Sequence, residues 1–153
     1  MKNINEKKTI VLGYQGSYGM NTDFIKNLEY LGFNVILLAI NRNFKYDNIF
    51  QHILSYLNRK FFHSTEIVKE CQLKPHLPRF YESINKIDNK IDFALFIRPD
   101  DYPISFLKKI KKKTNLLVAY QWDGLLLFKD APKRIKYFDR FFVFAPKDLE
   151  YDK

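Results

Sequence analysis

The sequence contains one cysteine, one tryptophan and only five glycines in 153 residues. Because one thiol cannot form an internal disulfide, Cys71 excludes a disulfide-bonded scaffold and fits a reducing compartment. The longest aliphatic run, Val35–Ile40, is far shorter than the roughly 20 apolar residues of a transmembrane helix. The first eight residues are mostly polar, and no long apolar segment follows them, so no secretory signal is predicted. We therefore expect a cytoplasmic protein.

Positive charge exceeds negative charge: 26 Lys and Arg against 17 Asp and Glu give a formal net charge of +9. The densest basic segment, Lys108–Lys113, predicts the solvated outer face of one helix. Attraction to phosphate or peripheral contact with the inner face of an anionic membrane is the alternative. Because no zinc-finger, KH or RNP pattern is present, no nucleic-acid partner is expected.

Apolar patterning predicts five strands separated by helices. The strand segments are apolar throughout rather than alternating with polar residues, which indicates strands covered on both faces. They are Thr9–Leu12, Val35–Ile40, Asp92–Ile97, Leu116–Tyr120 and Arg140–Phe144. Helical spacing marks the segments between them. The first helix is capped by Asn21 or Thr22 and ends at Gly32.

The later helices are predicted in the same way. An amphipathic helix follows the second strand, with Tyr46, Ile49, Phe50, Ile53, Leu54 and Leu57 on one face. The remaining predicted helices run from Ser64 or Thr65 to Cys71, over Phe80–Ile87, over Pro103–Lys112, and through Arg134 and Ile135. Proline at the start of a helix is tolerated because the missing N–H has no partner there.

This order predicts a single α/β domain over residues 1–153: a Rossmann-like, doubly wound, mainly parallel five-stranded sheet with helices on both faces. Ligands in such sheets bind beyond the carboxyl ends of the strands. Four segments follow strands in this way: Gly13–Asn21, Asn41–Lys45, Arg98–Tyr102 and Gln121–Leu125.

The first of these segments carries three glycines with the spacing G-x-x-G-x-x-G. Glycines let a backbone approach a ligand, and the following helix N-terminus favours an anion, so Gly16, Ser17, Tyr18 and Gly19 are substrate-binding candidates. The pattern is neither the G-x-G-x-x-G dinucleotide fingerprint nor a P-loop, and no acidic residue ends the second strand, so NAD is not expected. A tight turn without a ligand is the alternative.

Polar side chains follow the third strand. Arg98 is suited to a bidentate contact with a phosphate or a carboxylate, and Asp100 could orient a sugar hydroxyl or act as a base. The alternative is a proline-bracketed turn in which Asp100 or Asp101 caps the helix that begins at Pro103. No D-x-D spacing is present, so no metal is predicted here.

The fourth strand ends at Trp122-Asp123, an aromatic ring beside a carboxylate, which is a common way to hold a sugar. A core tryptophan beside a helix cap is the alternative. His52, His63, His76 and Cys71 do not have the spacing of a zinc site. No G-x-S-x-G elbow is present, and nothing marks Cys71 as a nucleophile.

Two aromatic motifs resemble a bacterial enzyme family. Tyr120, Trp122 and Asp123 match a Y-x-W-D strand end, and a second motif, Y-F-D-x-x-F-x-F-x-x-x-D, is matched by Tyr137, Phe138, Asp139, Phe142, Phe144 and Asp148. This pattern resembles the N-terminal half of GT-B glycosyltransferases of the lipopolysaccharide and capsule type, including the spore-maturation-like group. The resemblance covers residues 95–148 closely and the preceding segments loosely.

The resemblance implies an acceptor-side Rossmann-like domain that faces a second domain holding most of the nucleotide-sugar donor. It implies transfer of a sugar to a cell-surface polysaccharide acceptor without a bound metal or other cofactor. Asp123 is then the candidate base, with Arg98, Asp100 and Trp122 beside the substrate. The family continues beyond the position of Lys153 into its donor domain, so we expect this chain to be inactive alone. The rival hypothesis is a non-catalytic Rossmann- or flavodoxin-like binding or regulatory module.

Overall fold

Five parallel strands form one sheet in the computed structural model, which describes residues 7–14, 20–40, 44–87, 90–128 and 130–152. The strands are β1 (Thr9–Tyr14), β2 (Asn34–Leu38), β3 (Ile91–Ile97), β4 (Thr114–Gln121) and β5 (Arg140–Val143). Their order across the sheet is β2-β1-β3-β4-β5, and each neighbouring pair is parallel. The predicted Rossmann-like, doubly wound class is confirmed, and this strand order is the one typical of flavodoxin-like folds.

Helices lie on both faces of this sheet. They are α1 (Met20–Tyr30), α2 (Ile49–Phe62), α3 (Glu66–Leu73), α4 (Leu77–Asn85) and α5 (Ile104–Lys113). Side chains alternate along each strand, so Leu12 packs toward α1 whereas its neighbour Val11 packs toward α4 and α5. The two apolar clusters that result explain why the strand segments are apolar throughout.

The boundaries of several elements differ from the predictions. Pro75 lies in a short 3₁₀ turn, Lys74–His76, and α4 begins at Leu77, earlier than predicted, because Pro78 is tolerated in the first turn of a helix. The predicted short helix through Arg134 and Ile135 is a 3₁₀ helix, Pro132–Tyr137. The amphipathic helix α2 forms as predicted, but its apolar face is exposed.

Gly13 lies inside β1, one residue before the strand ends. It pairs in register with Phe96 of β3, whose fully buried ring packs against Tyr102 with 4.7 Å between ring centroids. A Cβ atom at Gly13 would lie 2.3 Å from Cδ1 of Phe96. The missing side chain at Gly13 therefore makes room for the Phe96 ring in the core.

We predict that Gly13→Ala lowers the free energy of unfolding by about 1–3 kcal/mol, because the added methyl group overpacks the core. Urea denaturation measures the change. Gly124→Ala is the matched control, since its Cβ would meet Asp148 Oδ2 at an ordinary 3.8 Å. Phe96→Leu in the Gly13→Ala background should recover part of the loss. Equal effects of the two alanine substitutions would contradict this account.

Candidate functional site

Arg98 follows β3 directly and has an unusual backbone conformation. Its φ and ψ angles are 58° and 66°, in the left-handed region that costs free energy for residues other than glycine. Its N–H donates to the carbonyl of Tyr120 at 3.1 Å, and its carbonyl accepts from the N–H of Asp101 at 3.1 Å. A strained backbone of this kind persists only where the surrounding contacts hold it.

The guanidinium of Arg98 joins carboxylates from two loops. Nε and Nη2 donate to the two oxygens of Asp100 at 2.9 and 2.8 Å, which is a bidentate pair. Nη1 donates to Asp123 Oδ2 at 2.9 Å, and Nη2 lies 3.8 Å from Asp101 Oδ1. The structure thus brings together three of the residues that the sequence singled out: Arg98, Asp100 and Asp123.

This ion-pair cluster is largely shielded from solvent. The guanidinium carbon of Arg98 lies 3.7 Å from the ring centroid of Phe128, in cation–π contact. Burial by itself would lower the pKa of Arg98, but hydrogen bonds to Asp100 and the charges of the carboxylates outweigh it and raise that pKa above its ordinary value. Asp123 is the most open carboxylate of the cluster: its side chain is 38% exposed, against 7% for Asp100.

Arg98 was expected to contact a phosphate or carboxylate of a ligand. Its guanidinium instead makes its bidentate contact with Asp100 of the same loop, so most of its N–H donors already have partners within the chain. Asp100 is likewise buried by this contact. Asp123 combines a fixed position with access to solvent, and it is therefore the member of the cluster best placed to meet a ligand.

The alternative prediction, that Asp100 or Asp101 caps the following helix, is wrong. The helix α5 begins at Ile104, and the N–H of Ile104 donates to Oε2 of Glu66 at 2.7 Å. The capping carboxylate comes from α3, 38 residues earlier in the chain. No local sequence signal points to a partner at that separation.

Trp122 joins the carboxyl ends of β1 and β4. Its ring lies edge-on to Tyr14, with 5.6 Å between ring centroids, and Tyr14 contacts Phe24 of α1. Trp122 is half-buried against the α1 side of the core, which fits the core-tryptophan alternative. The candidates Gly16, Ser17, Tyr18 and Gly19 lie outside the described residues. The strand β1 ends at Tyr14, which is in contact with Trp122.

A second cluster of charged residues, which the sequence did not predict, connects the segment after β4 with α3. Arg134 is fully buried and donates to Tyr102 O at 3.1 Å, to Asp130 O at 2.7 Å and to Glu66 Oε1 at 2.5 Å. Lys69 donates to Asp130 Oδ2 at 2.9 Å. This cluster fixes the segment after β4 against α3 and the start of α5.

Burial and charge set the proton affinities in this second cluster. Burial, together with the charge of Arg134, lowers the pKa of Lys69. Burial alone would raise the pKa of Asp130, but hydrogen bonds from Lys69 and Thr65 hold it well below its usual range. Both directions follow from charges packed closely in a region of low water content.

Gln121, the last residue of β4, is a buried polar group at the same edge. Its side chain is fully buried, and within the described part of the chain neither Nε2 nor Oε1 has a hydrogen-bond partner. A buried amide without partners costs free energy, so such groups call for a physical explanation. Gln121 directly precedes Trp122 and Asp123 in the chain.

Two concave surfaces lie away from this cluster. One, of about 400 Å³, lies among the helices and includes Asp47, Cys71 and Phe106 in its lining. Another, of about 330 Å³, lies beside β5 and includes Phe141. Arg98, Asp100 and Asp123 line neither of these two surfaces.

The histidines and the cysteine do not come together. Across the described ranges, no group of three or more His, Cys, Asp and Glu side chains could hold a metal ion. His52 stacks on Tyr46, and burial raises the pKa of the Cys71 thiol, with the charges of Asp47 and Glu70 acting in the same direction. A raised pKa disfavours the nucleophilic thiolate.

Comparison of this chain with models of protein families, with curated proteins and with solved structures finds no match.

We predict that Arg98→Met lowers the free energy of unfolding by about 3–5 kcal/mol at neutral pH, because Asp100 is left buried without its partner. Arg98→Lys should be intermediate, since an ammonium keeps the charge but not the bidentate fork. Chemical denaturation gives both values. Lys86→Met, which removes an exposed pair with Glu82, is the control and should change stability by less than about 1 kcal/mol. Arg98→Met with no larger effect than the control would show that the cluster does not support the fold.

Proposed function

We propose that this chain is the acceptor-side domain of a GT-B-like glycosyltransferase, which moves a sugar from a nucleotide-sugar donor to a cell-surface polysaccharide acceptor. The observation that supports this proposal is the solvent-accessible Asp123 carboxylate, held by Arg98 at the carboxyl edge and adjacent in sequence to Trp122. Ligands of doubly wound sheets bind at this edge. The aromatic motifs around Trp122 and Asp139 provide the link to this family.

In the proposed reaction, Asp123 accepts the proton of the acceptor hydroxyl. The hydroxyl oxygen then forms a bond to the anomeric carbon of the donor sugar, and the bond from that carbon to the nucleotide diphosphate breaks. Arg98 is a positioning residue, because its contact with Asp123 fixes the direction of the carboxylate. Trp122 offers an edge for the sugar, and Gly16, Ser17, Tyr18 and Gly19 precede α1 in the sequence. The N–H groups at the start of a helix favour the leaving phosphates.

We place this reaction in the cytoplasm, at the inner face of the membrane where surface polysaccharides are assembled. No helix in the described ranges has the length and apolar content to cross a bilayer. The basic composition supports peripheral attraction to anionic lipids.

We predict that Asp123→Asn lowers the transfer rate by about 10²–10⁴-fold, the usual contribution of a general base. The assay measures sugar transfer by the chain joined to its donor-binding domain. Asp47→Asn is the matched control, because Asp47 is an exposed carboxylate that forms an ion pair with Lys74. The control should retain the full rate. Unchanged turnover in Asp123→Asn would remove Asp123 from the mechanism.

The second candidate is a flavodoxin-like binding or regulatory module, favoured by the strand order and by the internal pairing of Arg98.

We predict no visible absorbance from a flavin in the purified protein and only weak binding of uridine diphosphate by this chain alone. Fluorescence of Trp122, the single tryptophan, measures the binding. Flavin absorbance would favour the second candidate, and tight uridine diphosphate binding would contradict the acceptor-side assignment.

A further inference from the structure

The helix α2 presents an apolar face to solvent. This face consists of Ile49, Phe50, Ile53, Leu54, Leu57 and Phe61, which recur at helical spacing. Ile49 is 75% exposed, Phe50 69% and Phe61 65%. Single exposed apolar residues are common, but a continuous patch of this kind marks a surface that contacts another phase or molecule.

The polar side of α2 is the side that packs against the protein. Ser55 is buried, and its hydroxyl lies 3.1 Å from the hydroxyl of Tyr46. Gln51 and Asn58, one turn before and one turn after Ser55, are half-buried. This orientation is the reverse of the usual one for a surface helix. The polar residues of α2 already pack against the protein. Rotating the helix so that its apolar residues faced inward would expose these polar residues to solvent and break the contact between Ser55 and Tyr46.

The charge of α2 has one sign. The helix contains Arg59 and Lys60 and no Asp or Glu. In the part of the chain that the structure describes, no carboxylate forms an ion pair with either side chain. The Lys60 ammonium lies 5.9 Å from the ring centroid of Tyr56 and 5.8 Å from that of Phe61. A cation therefore lies over the aromatic rings of the exposed surface.

These features favour an anionic lipid surface over a second copy of the chain. A second copy packed through its own α2 would offer no negative charge to Arg59 and Lys60, because this helix contains no acidic residue. Lipid phosphates supply the missing negative charge, while the acyl region takes up the apolar side chains. Basic side chains can extend to the headgroups while their stems stay on apolar surface.

We infer that α2 is a membrane-surface helix, which lies in the plane of an anionic bilayer with its apolar face at the boundary between headgroups and acyl chains. The helix has 14 residues, about 21 Å in length, and therefore rests on the bilayer without crossing it. Phe62, its last residue, lies three residues before Thr65, whose hydroxyl donates to Asp130 in the segment after β4. Binding through α2 thus holds the carboxyl end of the sheet near the lipid surface.

The inference refines the membrane location in the proposed function, but its test needs neither donor nor acceptor. We predict that the whole chain sediments with vesicles of phosphatidylglycerol and phosphatidylcholine and does not sediment with phosphatidylcholine alone. Phe50→Ser combined with Phe61→Ser should reduce binding at least tenfold. Arg59→Gln combined with Lys60→Gln should reduce it about thirtyfold, since each basic residue near an anionic surface contributes roughly fivefold.

A matched control comes from α1, where Tyr30 is 90% exposed and Leu31, next to it, is 69% exposed. Tyr30→Ser combined with Leu31→Ser should leave vesicle binding unchanged. Circular dichroism confirms the fold of each variant. Absence of binding to phosphatidylglycerol vesicles would overturn the inference, as would equal losses in the α1 and α2 variants. A dimer that dissociates in the Phe50→Ser, Phe61→Ser variant would assign the face to a second copy instead. Vesicle binding by this chain, together with no sugar transfer by the chain joined to a donor-binding domain, would leave this inference standing and remove the proposed function.

Discussion

The pairing of the Arg98 guanidinium with Asp100 and Asp123 is the interaction on which the candidate site depends. It connects the loop after β3 with the loop after β4, and it holds carboxylates that would otherwise repel one another. Arg98 occupies a left-handed conformation that a glycine would adopt at lower cost. The contacts of the Arg98 side chain with Asp100 and Asp123 offset this cost, and strain of this kind is typical of functional positions.

The rest of the fold supports this pairing. The parallel sheet brings the carboxyl ends of β1, β3 and β4 to one edge, and the contact between Tyr14 and Trp122 joins two of those ends. Behind them, the buried Arg134 fixes the segment after β4 to α3. Asp123 consequently has a defined position although its side chain is partly exposed. The helix α2, by contrast, packs its polar side against the body of the protein and leaves its apolar side exposed.

Much of the fold could be predicted because its signals are local. Apolar runs such as Thr9–Leu12 identify buried strands, and right-handed connections then restrict their order. The sequence predicts which residues lie at the site but not which of them contact one another. Arg98 was expected to face a ligand, whereas its fork faces Asp100, and the helix cap supplied by Glu66 comes from a distant segment. Periodicity likewise predicts that α2 has an apolar face but not which way that face points.

The coupling free energy between Arg98 and Asp123 is the most direct measure of the central claim. It is obtained from the unfolding free energies of the original chain, Arg98→Met, Asp123→Asn and the double variant. If the guanidinium holds the Asp123 carboxylate as the structure indicates, the two substitutions should be non-additive by about 1 kcal/mol at low salt. Additivity within about 0.3 kcal/mol would show that the two side chains act independently, and the proposed positioning of Asp123 would be contradicted.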